Sequence, residues 1–239
     1  EPAGLVRTFE QIDAAIMPEF PGLRALVVDD NVVNREVLAE ALQQMGVTLS
    51  FACNGQEALE VMRNQPLDIV FMDCSMPVMD GFAATRQWRA AEAGKILPII
   101  ALTAYSEATA KEDWKNAGMN GFITKPFTIP AIADAITATS GRRASKDMTV
   151  TVKDMSPIVR AAQDVELLDT QTLSMIDLLS KKDGGAVSNR IFGLFLKHGS
   201  EGLANLQEAV LNGVDEEIKP LAHALNSMCS SAGASRLAF

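Results

Sequence analysis

The stretch ALVVDDN, residues 25–31, carries the strongest structural signal in this chain. Four consecutive apolar residues are typical of a strand that is buried on both faces of a sheet. Two adjacent carboxylates, Asp29 and Asp30, follow directly. A single Asp at this place would cap the next helix and complement its dipole. Two neighbouring carboxylates repel each other, and a fold tolerates that repulsion when a cation neutralises them.

Further apolar runs repeat this arrangement and alternate with segments of helical period. Strands are predicted at 25–28, 48–52, 68–72, 98–102 and 121–124, and helices at about 32–45, 55–64, 82–93, 107–117 and 128–138. Asn54 and Thr128 are the predicted N-caps of two of these helices. Strict alternation of five strands with five helices predicts a doubly wound (βα)5 sheet of the flavodoxin-like α/β class, with its site at the carboxyl ends of the strands.

Polar side chains end three other predicted strands. Asp73 follows the third apolar run and precedes a loop rich in turn formers, Thr103 ends the fourth strand, and Lys125 ends the fifth. Because strands one and three adjoin in the usual doubly wound order, the three carboxylates should converge. Convergent oxygen ligands suit Mg²⁺, which keeps several waters and often shares a phosphate with the protein. We therefore expect a magnesium and phosphate site at this edge of the sheet.

The pattern resembles the response-regulator receiver family over essentially all of residues 23–138. The resemblance is carried by DD, then D followed by MPVMDG, then T followed by A, then KP, in that order. It implies that Asp73 accepts a phosphoryl group from a phosphohistidine. It also implies that Asp30, Asp73 and the backbone carbonyl of Ser75 bind Mg²⁺ directly, while Asp29 holds it through water.

The same resemblance assigns roles to residues of the last two strands. Lys125 and Thr103 would contact the phosphoryl oxygens, and Thr103 would follow the new phosphate by hydrogen bond. Phe122 would move inward with it, but Phe in place of the frequent Tyr leaves simple core packing as the alternative. Pro126 stands at the family's cis-proline position, so a cis Lys125–Pro126 bond is expected. A metaphosphate-like transition state spreads charge that Mg²⁺ and Lys125 would neutralise.

The chain after residue 138 loses the alternation of strands and helices. Residues 139–157 gain Gly, Ser and charge and are predicted to be a linker, as are residues 1–22 before the first strand. Residues 158–239 show helical period only, which predicts an all-helical bundle. Its helices are expected at about 169–181, 185–212 and 215–231.

One histidine of the helical part stands out by its context. Residues 218–232 place apolar side chains at helical spacing, which defines a buried stripe. The opposite, polar face holds Lys219, His223, Asn226, Ser227 and Ser230. We therefore expect His223 to be exposed, which by itself describes an ordinary solvated residue. The other histidine, His198, is expected to be structural or on the surface.

The segment around His223 resembles the active helix of histidine phosphotransfer domains. It keeps His223, Leu225, the small Ser227 and the later pair Gly233 to Ala234, but Asn226 replaces the usual lysine. A cation close to the imidazole would help to hold an incoming phosphoryl group, so slower or weaker transfer is expected here.

The phosphotransfer family usually closes a four-helix bundle, whereas this chain stops at Phe239, soon after the active helix. Either the last helices lie outside this sequence or are disordered, or another chain supplies the packing, for example a second copy in a homodimer. An unfilled bundle face would expose the stripe of Leu225, Cys229 and Ala232.

Composition narrows the partners and the location. With 239 residues, two domains are the better prior, and a net charge of −9 argues against nucleic acid as a partner. No run of about 18 apolar residues and no signal peptide are present, so a soluble chain without membrane contact is expected. An inner-membrane anchor in a larger parent protein stays open. The three cysteines, Cys53, Cys74 and Cys229, are expected to be reduced and buried, which indicates a reducing cytoplasm.

The two resemblances together imply the C-terminal part of a tripartite hybrid sensor histidine kinase. A kinase core absent from this sequence would phosphorylate Asp73, and the group would pass to His223 and on to a separate response-regulator receiver. The chain shows no glycine-rich ATP lid and no kinase asparagine box, so ATP alone should not label it. The alternative is a non-catalytic regulatory receiver module with an inert His223. An Asp-nucleophile hydrolase is disfavoured because Ser75 stands where its second Asp is required.

Overall fold

A computed structural model describes residues 17–91, 97–103, 113–141, 170–181 and 183–234. The strands are β1 Arg24–Val28, β2 Thr48–Ala52, β3 Ile69–Asp73, β4 Ile99–Thr103 and β5 Gly121–Thr124. The helices are α1 Val32–Gln44, α2 Gly55–Asn64, α3 Gly81–Ala91, α4 Ile129–Ser140, α5 Thr170–Ser180, α6 Ala186–Asn212 and α7 Asp215–Ser231. Residues 113–117 are also helical, and the rest of the helix predicted at 107–117 lies outside the described residues.

The five strands form one parallel sheet in the order β2-β1-β3-β4-β5. This confirms the predicted α/β class and the predicted adjacency of strands one and three. Asn54 and Thr128 are confirmed as N-caps, because their side chains accept hydrogen bonds from the amides of Glu57 and Ala131. Each cap satisfies an amide that the first helical turn leaves unpaired.

The register of the sheet aligns the ends of the strands. Val28 pairs with Met72, so the residues after them, Asp29 and Asp73, emerge side by side at the carboxyl edge. Thr103 pairs with Thr124, which places Lys125 next to the end of β4. Parallel pairing alone therefore gathers the polar strand ends.

Both faces of the sheet are covered, as expected for a parallel sheet. One core lies under α2 and α3 and includes Trp88. The other lies under α1 and α4 and continues into the helical segment, defined here as the described part of residues 170–234. Ile176 and Leu179 of α5 are 1% and 0% exposed in this second core. The helical segment therefore packs against α1 rather than standing apart.

The N-terminal linker prediction covers residues 1–22, of which 1–16 lie outside the described residues. Residues 17–22 form no helix or strand, yet Phe20 is 1% exposed in the core. Its amide donates to the carbonyl of Met45 at 2.7 Å. Of the linker predicted at 139–157, residues 139 and 140 belong to α4, and 142–157 lie outside the described residues.

The predictions for the stripe of α7 and for Cys53 are wrong. Cys229 and Ala232 are 2% and 3% exposed, so the stripe of α7 is covered. The cover is α6, whose Gly199 and Gly202 lack side chains where Met228 and Leu225 approach. Cys53, predicted to be buried, is exposed because it lies beyond the end of β2. Within the described residues, no helix has the length and apolar character needed to cross a membrane.

Candidate functional site

Three carboxylates converge at the carboxyl edge of the sheet, as the strand order predicts. Asp29, Asp30 and Asp73 each place an oxygen within 4.8 Å of the others. Asp29 and Asp73 are 1% and 5% exposed, and Asp30 is partly buried. Burial of this much negative charge is costly unless cations compensate for it.

Lys125 supplies one compensating charge. Its Nζ lies 2.7 Å from Oδ2 of Asp29 and 3.1 Å from Oδ2 of Asp73, and its side chain is 3% exposed. The Lys125 amide donates to the carbonyl of Thr103 at 2.8 Å, which fixes the backbone beside β4. The bond from Lys125 to Pro126 is cis, as expected. Burial lowers the pKa of Lys125, but the two carboxylates outweigh it, so the pKa is raised and the ammonium stays charged.

One lysine leaves the site with uncompensated negative charge. Burial, followed by repulsion from Asp29, raises the pKa of Asp30 to about 6. Burial raises the pKa of Asp73 to about 7, helped by Asp29 and Asp30 and opposed by Lys125. A divalent cation would stabilise the ionised forms of both groups.

The donor set fits Mg²⁺. All three ligand candidates are carboxylates, and hard oxygen donors with room for water are the ligands that Mg²⁺ prefers. Ser75, whose carbonyl the family resemblance implies as a further ligand, lines the cavity above the site. Its amide lies 3.5 Å from Oδ1 of Asp73. The division into direct ligands and a water-mediated Asp29 stays a prediction.

Thr103 and Phe122 occupy the places predicted for the switch pair. Thr103 is 4% exposed at the end of β4. Phe122 is partly buried, packs against the core under α2 and α3, and lies 5.7 Å from the ring of Trp114, centroid to centroid. The core packing that the sequence left as an alternative is therefore present, and the switch roles of both residues stay predictions.

Gly81 is a site residue that the sequence analysis did not single out. A Cβ at this position would lie 2.1 Å from the backbone oxygen of Asp73, so no larger residue fits without movement of the backbone. The signal was the Asp80–Gly81 pair that closes the loop after the nucleophile candidate. Glycine here allows α3 to begin directly against the end of β3.

Asn31 and Asn34 are two more site residues that the sequence analysis missed. The Asn31 amide donates to Oδ1 of Asp29 at 2.9 Å, and its side chain caps α1 through the amide of Val33 at 2.9 Å. Nδ2 of Asn34 lies 3.1 and 3.2 Å from the two oxygens of Asp29. The signal was a second Asn inside the first turn of a helix, where Asn is a poor helix former.

A cavity of about 910 Å³ separates the carboxylates from α7. Asp30 and Asp73 line one side, and His223 lines the other. The prediction that His223 is exposed to solvent is wrong: its face of α7 is turned toward the sheet edge, and the imidazole is partly buried. Burial lowers the pKa of His223, as do the charges of Lys125 and Lys219, while Asp29 opposes them. A neutral imidazole therefore faces the acidic site at neutral pH.

Asn226 and His198, the two other notable residues of the helical segment, agree with the predictions from the sequence. Asn226, which stands in place of a lysine, is exposed and lines the same cavity as His223. His198 lies on α6 with Nδ1 3.2 Å from Oε2 of Glu201, and its side chain is 32% exposed.

Residues 25–137 match the family model of the response regulator receiver domain. This part of the chain is a receiver domain. The five-stranded sheet and the acidic edge described above are the parts of the molecule that the match covers. Receiver domains of this kind serve two-component phosphorelay signalling.

Curated relatives of the receiver domain include hybrid histidine kinases. The chain is 43% identical over 122 residues to hybrid signal transduction histidine kinase A of Dictyostelium discoideum, covering 49% of this chain and 6% of that protein. It is 37% identical over 121 residues to sensor histidine kinase GacS of Pseudomonas protegens, covering 49% of this chain and 13% of that protein. The match thus spans a small part of the length of these relatives.

Solved structures with similarity to the chain include other receiver domains. That of sensor histidine kinase PA1611 from Pseudomonas aeruginosa PAO1, with a magnesium ion in its active site cleft, is 36% identical with a TM-score of 0.47, covering 51% of this chain and 99% of that chain. The receiver domain of Ssk1, solved with the histidine phosphotransfer protein Ypd1 of Saccharomyces cerevisiae, belongs to a structure with 29% identity and a TM-score of 0.49, covering 56% of this chain and 97% of that chain.

Proposed function

We propose that this chain is a two-step phosphorelay module in which Asp73 receives a phosphoryl group and passes it to His223. The observation that carries the proposal is the shared cavity, which Asp73 lines from the sheet edge and His223 from α7. The proposed units are the receiver domain at 23–138 and a phosphotransfer-like helical domain at 158–239. A kinase core, in the parent protein or in another chain, is the proposed donor.

In the first step an oxygen of Asp73 attacks the phosphorus of a kinase phosphohistidine. The bond between phosphorus and the donor nitrogen breaks, the nitrogen keeps the electron pair, and an acyl phosphate forms on Asp73. Mg²⁺ held by Asp30, Asp73 and the Ser75 carbonyl, with Asp29 acting through water, would offset the charge on the phosphoryl oxygens.

Among the described residues, two of the three donors of Lys125 have partners, which leaves one for this chemistry. Its ammonium carries three N–H groups, and Asp29 and Asp73 occupy two of them. The third can bind a phosphoryl oxygen while the bond to Asp29 still anchors the side chain. Thr103, buried at the end of the neighbouring strand, is the proposed second contact to the phosphoryl group.

In the second step the unprotonated nitrogen of His223 attacks the phosphorus of the acyl phosphate. The bond between phosphorus and the Asp73 oxygen breaks, and Asp73 regains its carboxylate. The lowered pKa of His223 favours this direction of attack because a neutral imidazole keeps a free electron pair. Asn226 offers no charge to the incoming group, so this transfer should be the slower of the two steps.

A time course with a radiolabelled acyl phosphate and Mg²⁺ tests the proposal. Acid-stable label should appear on the chain first and then give way to acid-labile, base-stable label at His223. The variant Asp73→Asn should take up neither form, and His223→Gln should keep only the label on Asp73. Label that stays on Asp73 in the unmodified chain, or label that arises from ATP alone, contradicts the proposal.

The contact between α7 and the receiver domain also favours a second candidate function. A helix that covers the acidic site can act as a regulatory element, with His223 inert and the receiver controlling a neighbouring kinase. The same time course separates the two candidates, because the regulatory module keeps its label on Asp73 until hydrolysis. A downstream receiver supplied in trans should acquire label from His223 only if the relay operates.

A further inference from the structure

The side-chain amide of Asn34 bridges the receiver domain and α7. Its Nδ2 lies 3.1 and 3.2 Å from the two oxygens of Asp29 and 2.9 Å from Oγ of Ser227. An amide nitrogen carries two hydrogens, so one serves the carboxylate and the other serves the hydroxyl. Turning the amide over would bring its oxygen against the carboxylate, so Asp29 fixes its orientation.

The bridge leaves the side-chain oxygen of Asn34 without a hydrogen bond among the described residues. The residue is 1% exposed, and its Oδ1 is a buried acceptor without a partner among the described residues. Buried polar atoms in proteins are usually paired, and an exception calls for an explanation. The two donated hydrogen bonds provide this explanation. They require the amide nitrogen at this position, and the side-chain oxygen then points where the described residues offer no donor.

The bridge completes a continuous chain of polar contacts from α7 to the nucleophile candidate. Ser227 binds Asn34, Asn34 binds Asp29, Asp29 binds Lys125, and Lys125 binds Asp73. One buried network therefore helps to fix both the Ser227 hydroxyl on α7 and the Asp73 carboxylate on β3.

Ser227 lies four residues after His223 and therefore on the same face of α7. A second tie, from Nδ2 of Asn31 to the carbonyl of Ala224 at 3.2 Å, lies between the two. Fixing Ser227 fixes how far along the helix axis His223 stands relative to the acidic edge. A slip of one helical turn would carry the imidazole past Asp73.

We propose that Asn34 is a positioning residue: by holding Asp29 and Ser227 with one amide, it sets the register of His223 over Asp73. The consequence for phosphoryl transfer rests on the proposed function given above. Asn34 does not line the cavity between Asp73 and His223, so it acts through Asp29 and through α7.

The variant Ser227→Ala tests the inference because it removes only the link to α7. Labelling of Asp73 by a small acyl phosphate should proceed at the unmodified rate, since this donor does not use the helix. Transfer from Asp73 to His223 should slow by about 2- to 12-fold, the effect of one net hydrogen bond. Ser230→Ala, the same change one turn away on α7, should leave both rates unchanged.

A double-mutant cycle identifies Asn34 as the partner through which Ser227 acts. Asn34→Ala should slow both labelling and transfer, and adding Ser227→Ala to it should slow transfer no further. Equal transfer rates in Ser227→Ala and the unmodified chain overturn the inference. So does an equal slowing of labelling and transfer by Ser227→Ala, which would indicate general loss of structure.

Failure of the relay itself gives a different result. If His223 in the unmodified chain never acquires label, the proposed function fails, and hydrogen exchange decides the positioning role. Ser227→Ala should then speed amide exchange over 215–231 by the same 2- to 12-fold, about that of one hydrogen bond, while Ser230→Ala should not. Unchanged exchange in Ser227→Ala overturns the inference.

Discussion

The acidic edge of the sheet and the face of α7 opposite it are built by different means. The edge follows from backbone pairing, because the register of β1, β3, β4 and β5 brings Asp29, Asp73, Thr103 and Lys125 together. The face of α7 is held by side-chain bonds to Asn31 and Asn34 and by the packing of α5 and α6 against α1. The edge should therefore tolerate little change, whereas the contact with α7 should be adjustable.

Gly81→Ala should have the largest effect on the edge. Because the new Cβ would lie 2.1 Å from the Asp73 backbone oxygen, the end of β3 or the start of α3 must move. We expect a loss of about 3 kcal/mol or more in the free energy of unfolding, measured by urea denaturation.

The matched control for this substitution is Gly193→Ala in α6. A Cβ there meets no atom of the described part of the chain within 4 Å, so the change should stabilise by about 0.5 to 1 kcal/mol through helix propensity. A mild effect of Gly81→Ala would show that the edge can shift its backbone and is less rigid than the contact with α7.

Leu179→Ala should have the next largest effect, this time on the packing behind α7. Leu179 is 0% exposed in the core shared with α1, and its removal should cost about 2 to 5 kcal/mol. Hydrogen exchange should quicken in α5, α6 and α7 while β1 and β3 stay protected. Leu196→Ala, on α6 and 70% exposed, should change exchange little. Equal loss of protection in the sheet would mean that the two regions unfold as one unit.

The pH dependence of stability should report on the charge at the edge. Burial raises the pKa of Asp73 to about 7, so between about pH 4 and pH 7 the folded state binds more protons than the unfolded state. Without Mg²⁺, the free energy of unfolding, measured relative to that of Asp73→Asn, should therefore fall as the pH rises through this range. A rise in pKa from 3.8 to about 7, at about 1.4 kcal/mol per pKa unit, corresponds to a loss on the order of 4 kcal/mol.

Added Mg²⁺ should reverse that trend in the unmodified chain, because a bound cation favours the ionised carboxylate. The measurement is urea unfolding at several pH values with and without the ion. A stability difference from Asp73→Asn that does not change with pH would mean that Lys125 alone neutralises the edge.

The same contrast explains what the sequence could predict. The strands and the helix caps depend on the local pattern of residues, and the convergence of Asp73 with Lys125 depends on the order of parallel strands. Both can be predicted from a single sequence. The burial of Ser227 depends on Asn34, which lies 193 residues away in the chain, and no local pattern encodes that distance. For the same reason, the helical period predicts that the polar face of α7 is solvated, and it does not predict that α6 covers Cys229.

Arg190→Ala should have the smallest effect. Arg190 lies on the rim of the contact between the helical segment and α1. Arg190 forms ion pairs with Glu36 and Glu40 of α1, the second at 2.8 Å, and its side chain is 51% exposed. Exposed pairs contribute little, so we expect a loss of about 0.5 kcal/mol that shrinks as salt is raised. Arg86→Ala on the exposed face of α3 is the control and should show no salt-dependent loss. A loss above about 2 kcal/mol, or one that salt does not reduce, would contradict this. It would indicate that the charged rim, rather than the buried bonds at Asn34, is the main support of the contact.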